Sequence, residues 1–548
     1  MNKIASYLQS HLSGDVLTSE SAREYFSTDA SVLEMKPSLI VYPRSTNDIR
    51  KVARFTWQLA EKGHILPITP RGSGTDQTGA AIGKGLIMAF PAHLGKILEL
   101  DTKQRLVRVQ PGINYKSLEE TLHTHGLFLP PYPASYKYST VGGAIANNTA
   151  GEKSLKYGSM RNWVDRLEIV LANGEVIQTG RLSKRDLEKR KGLATFEGEI
   201  YRAVDGLIID NLEQITHHRD TLNVSKDSVG YALGDVKRKD GSFDLTPLFV
   251  GAQGTLGIIT EAIIKVAPFS PQTELIVAGF SSIDAAVQAT EELLILGPSA
   301  LEMVDKNLLN FVNKHQGANP ITPVFGSDVA TPEIVLFVEF DELADKDRQK
   351  KAKKALKILD VLASNITRAK DAETQEKLWA VRHSAATVTN YDTAGKSALP
   401  IIEDGIVPVA KFESYITAAY ELFEKNHLEV ALWGHAGDAN LHMQPLLDLR
   451  KLTDRQKVFK LMDEYYRMVI SMGGSIAAEH NDGRLRAPYV ALQCGPELTS
   501  VYEQLKKALD PYGTLNPGVK TGTALKDLAP LLRETYSLAH LADHLPRT

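Results

Sequence analysis

The sequence predicts an α+β protein of two domains, and three observations carry that prediction. The chain has 548 residues, beyond the size at which a single hydrophobic core stops growing. Its first half alternates strand, capped helix and glycine-rich turn, as in LIVYPRSTNDIRKVARFTWQLAEKGHILPITPRGSG from Leu39 onward. Its second half repeats a strand followed by an amphipathic helix.

Taken in order, residues 1–34 predict a helical lead-in. Ser45, Thr46 and Asn47 are candidate helix starts, and Ile49, Val52, Ala53 and Trp57 then recur at helical spacing. LIMAF, ILELD, LVRVQPG, LEIVLANGEVIQTG and LFVGAQGTLGIITEAIIKV add short β-rich runs broken by Gly, Asn and Pro. These make a first domain over 1–270. After it, TELIVAGFSSIDAAVQATEELLILG and EIVLFVEFD begin strand-helix units, which suggest a smaller sheet with helices on one face. The KDRQKKAKKALKILDVLASN stretch predicts an exposed helix whose charge run is a solvated face. The second domain is expected over 271–522, and 523–548 as a C-terminal tail, either an added helix or a loose segment.

Composition narrows the function classes. An apolar fraction of 43% and a charged fraction of 24% are those of an ordinary soluble globular protein. With 63 basic and 66 acidic side chains, and no dominating basic run, there is no electrostatic footprint for nucleic acid. The N-terminal MNKIASYLQSHLSGDV lacks a signal peptide's apolar core, and nowhere do eighteen apolar residues run together, so a cytoplasmic protein is expected. Peripheral contact with the inner face of a membrane stays open. One cysteine, Cys494, excludes an internal disulfide and a cysteine-ligated iron-sulfur cluster within this chain.

The segment TPRGSGTDQTGAAIGKG places Gly72, Gly74, Gly79, Gly83 and Gly85 around Arg71. Glycine lets successive N–H groups turn toward a phosphate. The spacing matches neither the Gly-x-x-x-x-Gly-Lys loop nor the dinucleotide pattern, whose third glycine would fall at Gln77. Alone, a plain glycine-rich connection explains it equally well. A second segment, YPASYKYSTVGGAIANNTAGEK, adds a run of small residues where a flat ligand could lie against bare backbone.

These two segments, with FVGAQGTLGIITEA, resemble the flavin-binding domain of the vanillyl-alcohol oxidase and p-cresol methylhydroxylase superfamily. The resemblance implies FAD. It assigns the diphosphate turn to Pro70, Arg71, Gly72, Ser73, Gly74 and Thr75. Pro133, Ser135, Thr140, Val141, Gly142, Gly143, Ala146, Asn147 and Gly151 fall toward the isoalloxazine, and Gly254, Thr255, Gly257 and Ile259 toward the adenine side. Members with covalent flavin often carry histidine where this chain has Thr75, so the FAD is expected to be noncovalent. Gln253 stands where a glutamate is usual, an exchange that keeps an acceptor and loses charge.

In the second half, WGHAGDANLH holds His435 and His442, and AAEHNDGRLR holds Glu479 and His480. A lone histidine is more often structural than ligating. Together, three N/O ligands with one open position are what a catalytic divalent metal needs, and one cysteine cannot supply a closed thiolate site. The apolar VALW before His435 and the alternating LHMQP after it predict strand, turn, strand, with both histidines facing one cavity; Gly473-Gly474-Ser475 before AAEH suggests a second strand edge.

GHAGDANLH, AAEHNDGRLR and the closing LDPYGTLNPGV resemble the FAD-linked oxidase domain of D-lactate dehydrogenases, D-2-hydroxyglutarate dehydrogenases and glycolate oxidase flavin subunits. The resemblance makes His435, His442 and Glu479 the ligands of a divalent ion, commonly Zn2+, and His480 the base. It makes Arg382, in LWAVRHSA, the binder of the substrate carboxylate, with Asn440 beside the site. Ala439 and Asn481 occupy positions where the family usually has glycine; Asn481 would add bulk and polarity beside the base. The implied activity is oxidation of a small D-2-hydroxy acid such as D-lactate, with electrons passing to a non-NAD acceptor: a quinone, an electron-transfer flavoprotein, a cytochrome or a separate iron-sulfur subunit. Alternatives are an oxidase or alkyl-transferring flavoenzyme, or a flavin-bearing electron-transfer subunit. The substrate, oligomeric state and acceptor are not specified by the sequence.

Overall fold

A computed structural model describes residues 3–316, 321–327, 329–369, 371–383, 385, 392–393, 395–541 and 545. The first half holds two larger sheets and a two-stranded pair of Leu127–Phe128 with Ala267–Pro268. One orders Asp15–Leu17, Leu39–Tyr42, Leu86–Ala89 and Ile68–Arg71; its last three strands are parallel and the first antiparallel. The connecting helix Thr46–Glu61 starts where Ser45 accepts the amide of Asp48, and buries Ile49, Val52, Ala53 and Thr56 on one face. The second sheet is antiparallel and places Ile258–Lys265 between Leu106–Val109 and Val164–Val170, with alternate residues of the central strand buried.

The lead-in is only partly helical. Lys3–His11 and Glu20–Tyr25 are helices, but Asp15–Leu17 between them forms the edge strand of the first sheet. Three residues are too short to show a period in the sequence.

The second half is built on a nine-stranded sheet. Glu274–Phe280, Ile334–Phe340 and Ala300–Asp305 form its antiparallel centre, extended by the hairpin Val430–His435 and Asn440–Leu447. Helices cover both faces, not one. Leu275, Val277, Val335 and Phe337 pack with Leu308 and Leu378, whereas the intervening Ile276, Ala278, Leu336 and Val338 pack with Ala286, Leu293 and Leu359. The physical reason is legible in hindsight: a strand apolar at every position needs cover on both sides. The lysine-rich helix, Asp345–Leu362, buries only Arg348, Ala352, Ala355 and Leu359 and turns its charged face outward.

The C-terminal segment is packed down. Leu532 bridges to Leu33, the Arg533 guanidinium donates to the carbonyls of Asp29 and Leu33, and Tyr536 donates to Ala30. Among the described residues no helix is long and apolar enough to cross a membrane.

Candidate active site

The strand Ile68–Arg71 ends in the glycine-rich turn, and this turn forms one wall of a cleft. Pro70 to Thr75, Thr140, Gly142, Gly143, Ala146, Asn147, Gly254, Gly257 and Ile259 all line it. The walls tolerate little side chain. A Cβ on Gly72 would lie 2.4 Å from Thr140 Oγ1, and one on Gly142 would lie 2.5 Å from Pro111. Asp76, Ala80, Ala81, Phe90, Pro111, Phe249 and Gln253 complete the lining, and none of these but Gln253 carried a sequence signal.

Five of the proposed flavin residues lie outside this wall. Val141, the first residue of the helix Val141–Asn147, is fully buried, and Thr255 turns its hydroxyl to Ala252 O and Tyr231. Pro133 and Ser135 belong to a partly exposed loop. Gly151 instead donates its N–H to Glu479.

Arg71 does not present its whole guanidinium to the cleft. It is buried over the Phe26 ring, its Nη1 donating to Thr28 O and Ala81 O, while Nη2 is buried without a partner. Burial pushes its pKa down. An anionic group in the cleft would answer that unpaired donor, so the wall fits a dinucleotide diphosphate in both shape and charge.

Gln253 uses both ends of its amide. Its Nδ-equivalent nitrogen, Nε2, donates to Asn147 Oδ1 at 3.1 Å, and its Oε1 accepts the Gly483 amide at 2.9 Å. Asn147 in turn donates to Asp76. The amide therefore contributes a donor that a carboxylate lacks, beyond the retained acceptor expected from the sequence.

The hairpin sets the second half of the site. His435 pairs with Asn440 and Trp433 with His442 across it, and the connecting turn puts Ala439 at φ +52°. Holding alanine in this left-handed region costs roughly 1 kcal/mol that glycine would avoid. The Ser475–His480 stretch is not a strand; only Ser475 makes an isolated bridge, to Ile406.

The structure brings His435, His442 and Glu479 together. His435 Nε2 lies 2.8 Å from Glu479 Oε1 and 3.3 Å from His442 Nε2, and His442 Nε2 lies 3.6 Å from that same oxygen. Ligands 2.0–2.1 Å from a tetrahedral ion stand about 3.3 Å apart, so the triangle suits a divalent transition metal. The outward nitrogens are held too: His435 Nδ1 by Glu302 at 2.7 Å and His442 Nδ1 by Glu403 at 3.3 Å.

His480 stacks on His442, with centroids 4.9 Å apart, and its Nδ1 contacts Glu403 at 2.5 Å. Burial opposes its charge, but Glu403 and Asp404 raise its pKa to about 10. His435 is likewise raised to about 9, burial being outweighed chiefly by Glu302. Glu479 is buried, and Lys226 and His435 hold its carboxyl well below the usual range.

Arg382 is buried, with Nε and Nη2 donating to Glu302 at 3.0 and 2.8 Å. That edge is spent, and Nη1 makes no hydrogen bond among the described residues. Asn440 accepts from Lys226 Nζ and donates to Gly405 O. The Asn481 side chain turns away from His480 into the first half, its Nδ2 donating to Asn147 O and Gly251 O. Glu302, Glu403, Asp404 and Lys226 were missed from the sequence. The three acids carried a weak signal, since LEMVD and IIEDGIV put them inside apolar runs.

Residues 37–180 match the family FAD binding domain, and 270–519 match FAD linked oxidases, C-terminal domain. The glycolate oxidase subunit GlcD of Bacillus subtilis (strain 168) is 30% identical over 91% of this chain and 92% of its own length. The D-lactate dehydrogenase of Anaerostipes hadrus is 26% identical over 92% and 94%. The D-2-hydroxyglutarate dehydrogenase of Pantoea ananatis (strain AJ13355) is 29% identical over 92% of this chain, which spans only 50% of that protein. Substrate-bound p-cresol methylhydroxylase shares the fold at a TM-score of 0.67 with 14% identity, covering 96% and 97% of the two chains.

A p-cresol methylhydroxylase-type FAD-binding domain joined to an oxidase C-terminal domain defines an FAD-linked oxidoreductase. The chain belongs to the FAD-linked oxidase family.

Proposed function

We propose that the chain oxidises a D-2-hydroxy acid to the 2-oxo acid, with D-lactate or a close relative as substrate, noncovalent FAD as cofactor and a non-NAD acceptor. Residues 1–270 hold the flavin and 271–522 the ion and substrate. When bound, FAD supplies the two-electron acceptor, and a divalent ion at His435, His442 and Glu479, zinc by ligand type, supplies charge that favours an alkoxide.

The residues divide the remaining work. Arg382, anchored by Glu302 on one edge, offers Nη1 to the substrate carboxylate and orients C2. His480 is fixed through Nδ1, and its Nε2, without a hydrogen bond among the described residues, takes the hydroxyl proton. That step requires His480 to be neutral, so the charge of the ion must offset Glu403. Lys226 and Asn440 hold the floor of the site.

The observation that carries this reading is the ligand triangle standing next to a histidine whose orientation is fixed. Anaerobic mixing of the yellow protein with a panel of D- and L-2-hydroxy acids tests it: D-acids bleach the flavin and L-acids do not. No bleaching by any 2-hydroxy acid, with metal bound, sinks it. A second reading, a flavin-bearing subunit of a larger complex, is favoured by the relative named a glycolate oxidase subunit. Turnover with an artificial dye by the chain alone counts against it.

A further inference from the structure

One continuous segment, residues 479–483, touches both halves of the site. At its start Glu479 Oε1 completes the ligand triangle, while Oε2 accepts the amides of Ala150 at 3.1 Å and of Gly151. Two residues on, Asn481 donates to Asn147 O at 3.2 Å and to Gly251 O at 2.9 Å. Gly483 then donates to Gln253 Oε1. Asn147 and Gln253 are both walls of the flavin cleft. Asn481 is fully buried at φ +67°, and its Oδ1 is taken by the Asp482 amide and Lys520 Nζ, so its side chain has one available setting.

We propose that Asn481 is a positioning residue that couples the metal triangle to the flavin wall, so that the divalent ion and FAD each strengthen binding of the other. The inference rests on the metal and flavin reading above. An ion fixes Glu479 Oε1, which fixes the 479–483 segment, which seats Asn147 and Gln253 against the flavin. The same chain of bonds runs in reverse when FAD orders the wall first. Such coupling is necessarily reciprocal: the factor by which Zn2+ tightens FAD must equal the factor by which FAD tightens Zn2+.

The test measures both affinities on the full chain: FAD by quenching of its fluorescence, with Zn2+ buffered or removed by chelator, and Zn2+ by competition with a chromophoric chelator, with and without FAD. The expected result is the same factor in both directions, about tenfold. Asn481→Gly keeps the backbone conformation and removes the side-chain bridge; it should bring both factors close to one while each ligand still binds. The shift of the flavin absorption bands on adding Zn2+ should vanish with it. If Asn481→Gly fails to fold, Gln253→Ala cuts the Gly483 tie instead and should reduce both factors.

Two ligands that bind well but ignore one another overturn the coupling and leave the metal reading standing. Full coupling in Asn481→Gly, or in Gln253→Ala where Asn481→Gly does not fold, overturns the role of Asn481. No Zn2+ binding at all overturns the metal reading and the coupling with it.

Discussion

Glu302 holds His435 with one oxygen and Arg382 with the other, at 2.7 and 2.8 Å. A single buried carboxylate on a central strand thus sets the face of the histidine we propose as a metal ligand and the edge of the arginine we propose for the substrate carboxylate. Outer partners of ligating histidines fix the tautomer and sharpen the ligand. Glu302→Gln should lower Zn2+ affinity by about 10- to 100-fold, read by chelator competition, with flavin content unchanged. Unchanged metal affinity would make Glu302 a partner of Arg382 alone.

The cleft wall makes a separate prediction. At Gly142 an added Cβ meets Pro111 Cβ at 2.5 Å and Pro111 O at 2.7 Å, atoms that cannot swing aside. Gly142→Ala should yield protein that folds with its metal but is purified colourless or loses FAD on gel filtration. A fully yellow variant would show that the wall is looser than these distances require.

Gln253→Glu tests the amide more finely. A carboxylate oxygen would replace the donor facing Asn147 Oδ1, and turning Asn147 over would aim its oxygen at Asp76. FAD affinity should fall by about tenfold, the loss of one buried hydrogen bond with its acceptor left unpaired. Gln253→Glu protein that binds FAD as tightly as the parent would contradict that network.

A pH effect is expected from Asp305, which accepts the amides of Leu308 and Leu432 and the Tyr420 hydroxyl. Burial pushes its pKa up to about 7 from 3.8. A raised carboxyl favours the folded state while protonated, so this contribution is complete below 3.8 and is lost as pH climbs through 7; the span is roughly 4 kcal/mol. Asp305→Asn should remove it. The difference in thermal midpoint, parent minus variant, should shrink from pH 5 to pH 8; a difference that is flat across that range would contradict the assignment.

What the sequence disclosed follows from which physics is local. Turns announce themselves through glycine, and the 435–442 hairpin through an apolar strand meeting an alternating one, so most of the cleft wall and the two facing histidines were legible locally, while Glu479 was joined to them by the family resemblance. Glu302, Glu403 and Asp404 come from strands and loops distant in sequence, and only the sheet order brings them behind the histidines. Asn481 shows the converse. Its departure from glycine was legible, but the direction of its side chain depends on the packing of one half against the other.

Metal-assisted proton removal is tested most directly by the rate of anaerobic flavin reduction, followed by stopped flow with the D-2-hydroxy acid that bleaches the protein fastest. The rate is compared before chelation, after metal removal with FAD confirmed in place, and after Zn2+ is restored. The expected result is a fall of about a hundredfold or more on removal and recovery on restoration. An unchanged rate in protein shown to be free of metal would contradict it.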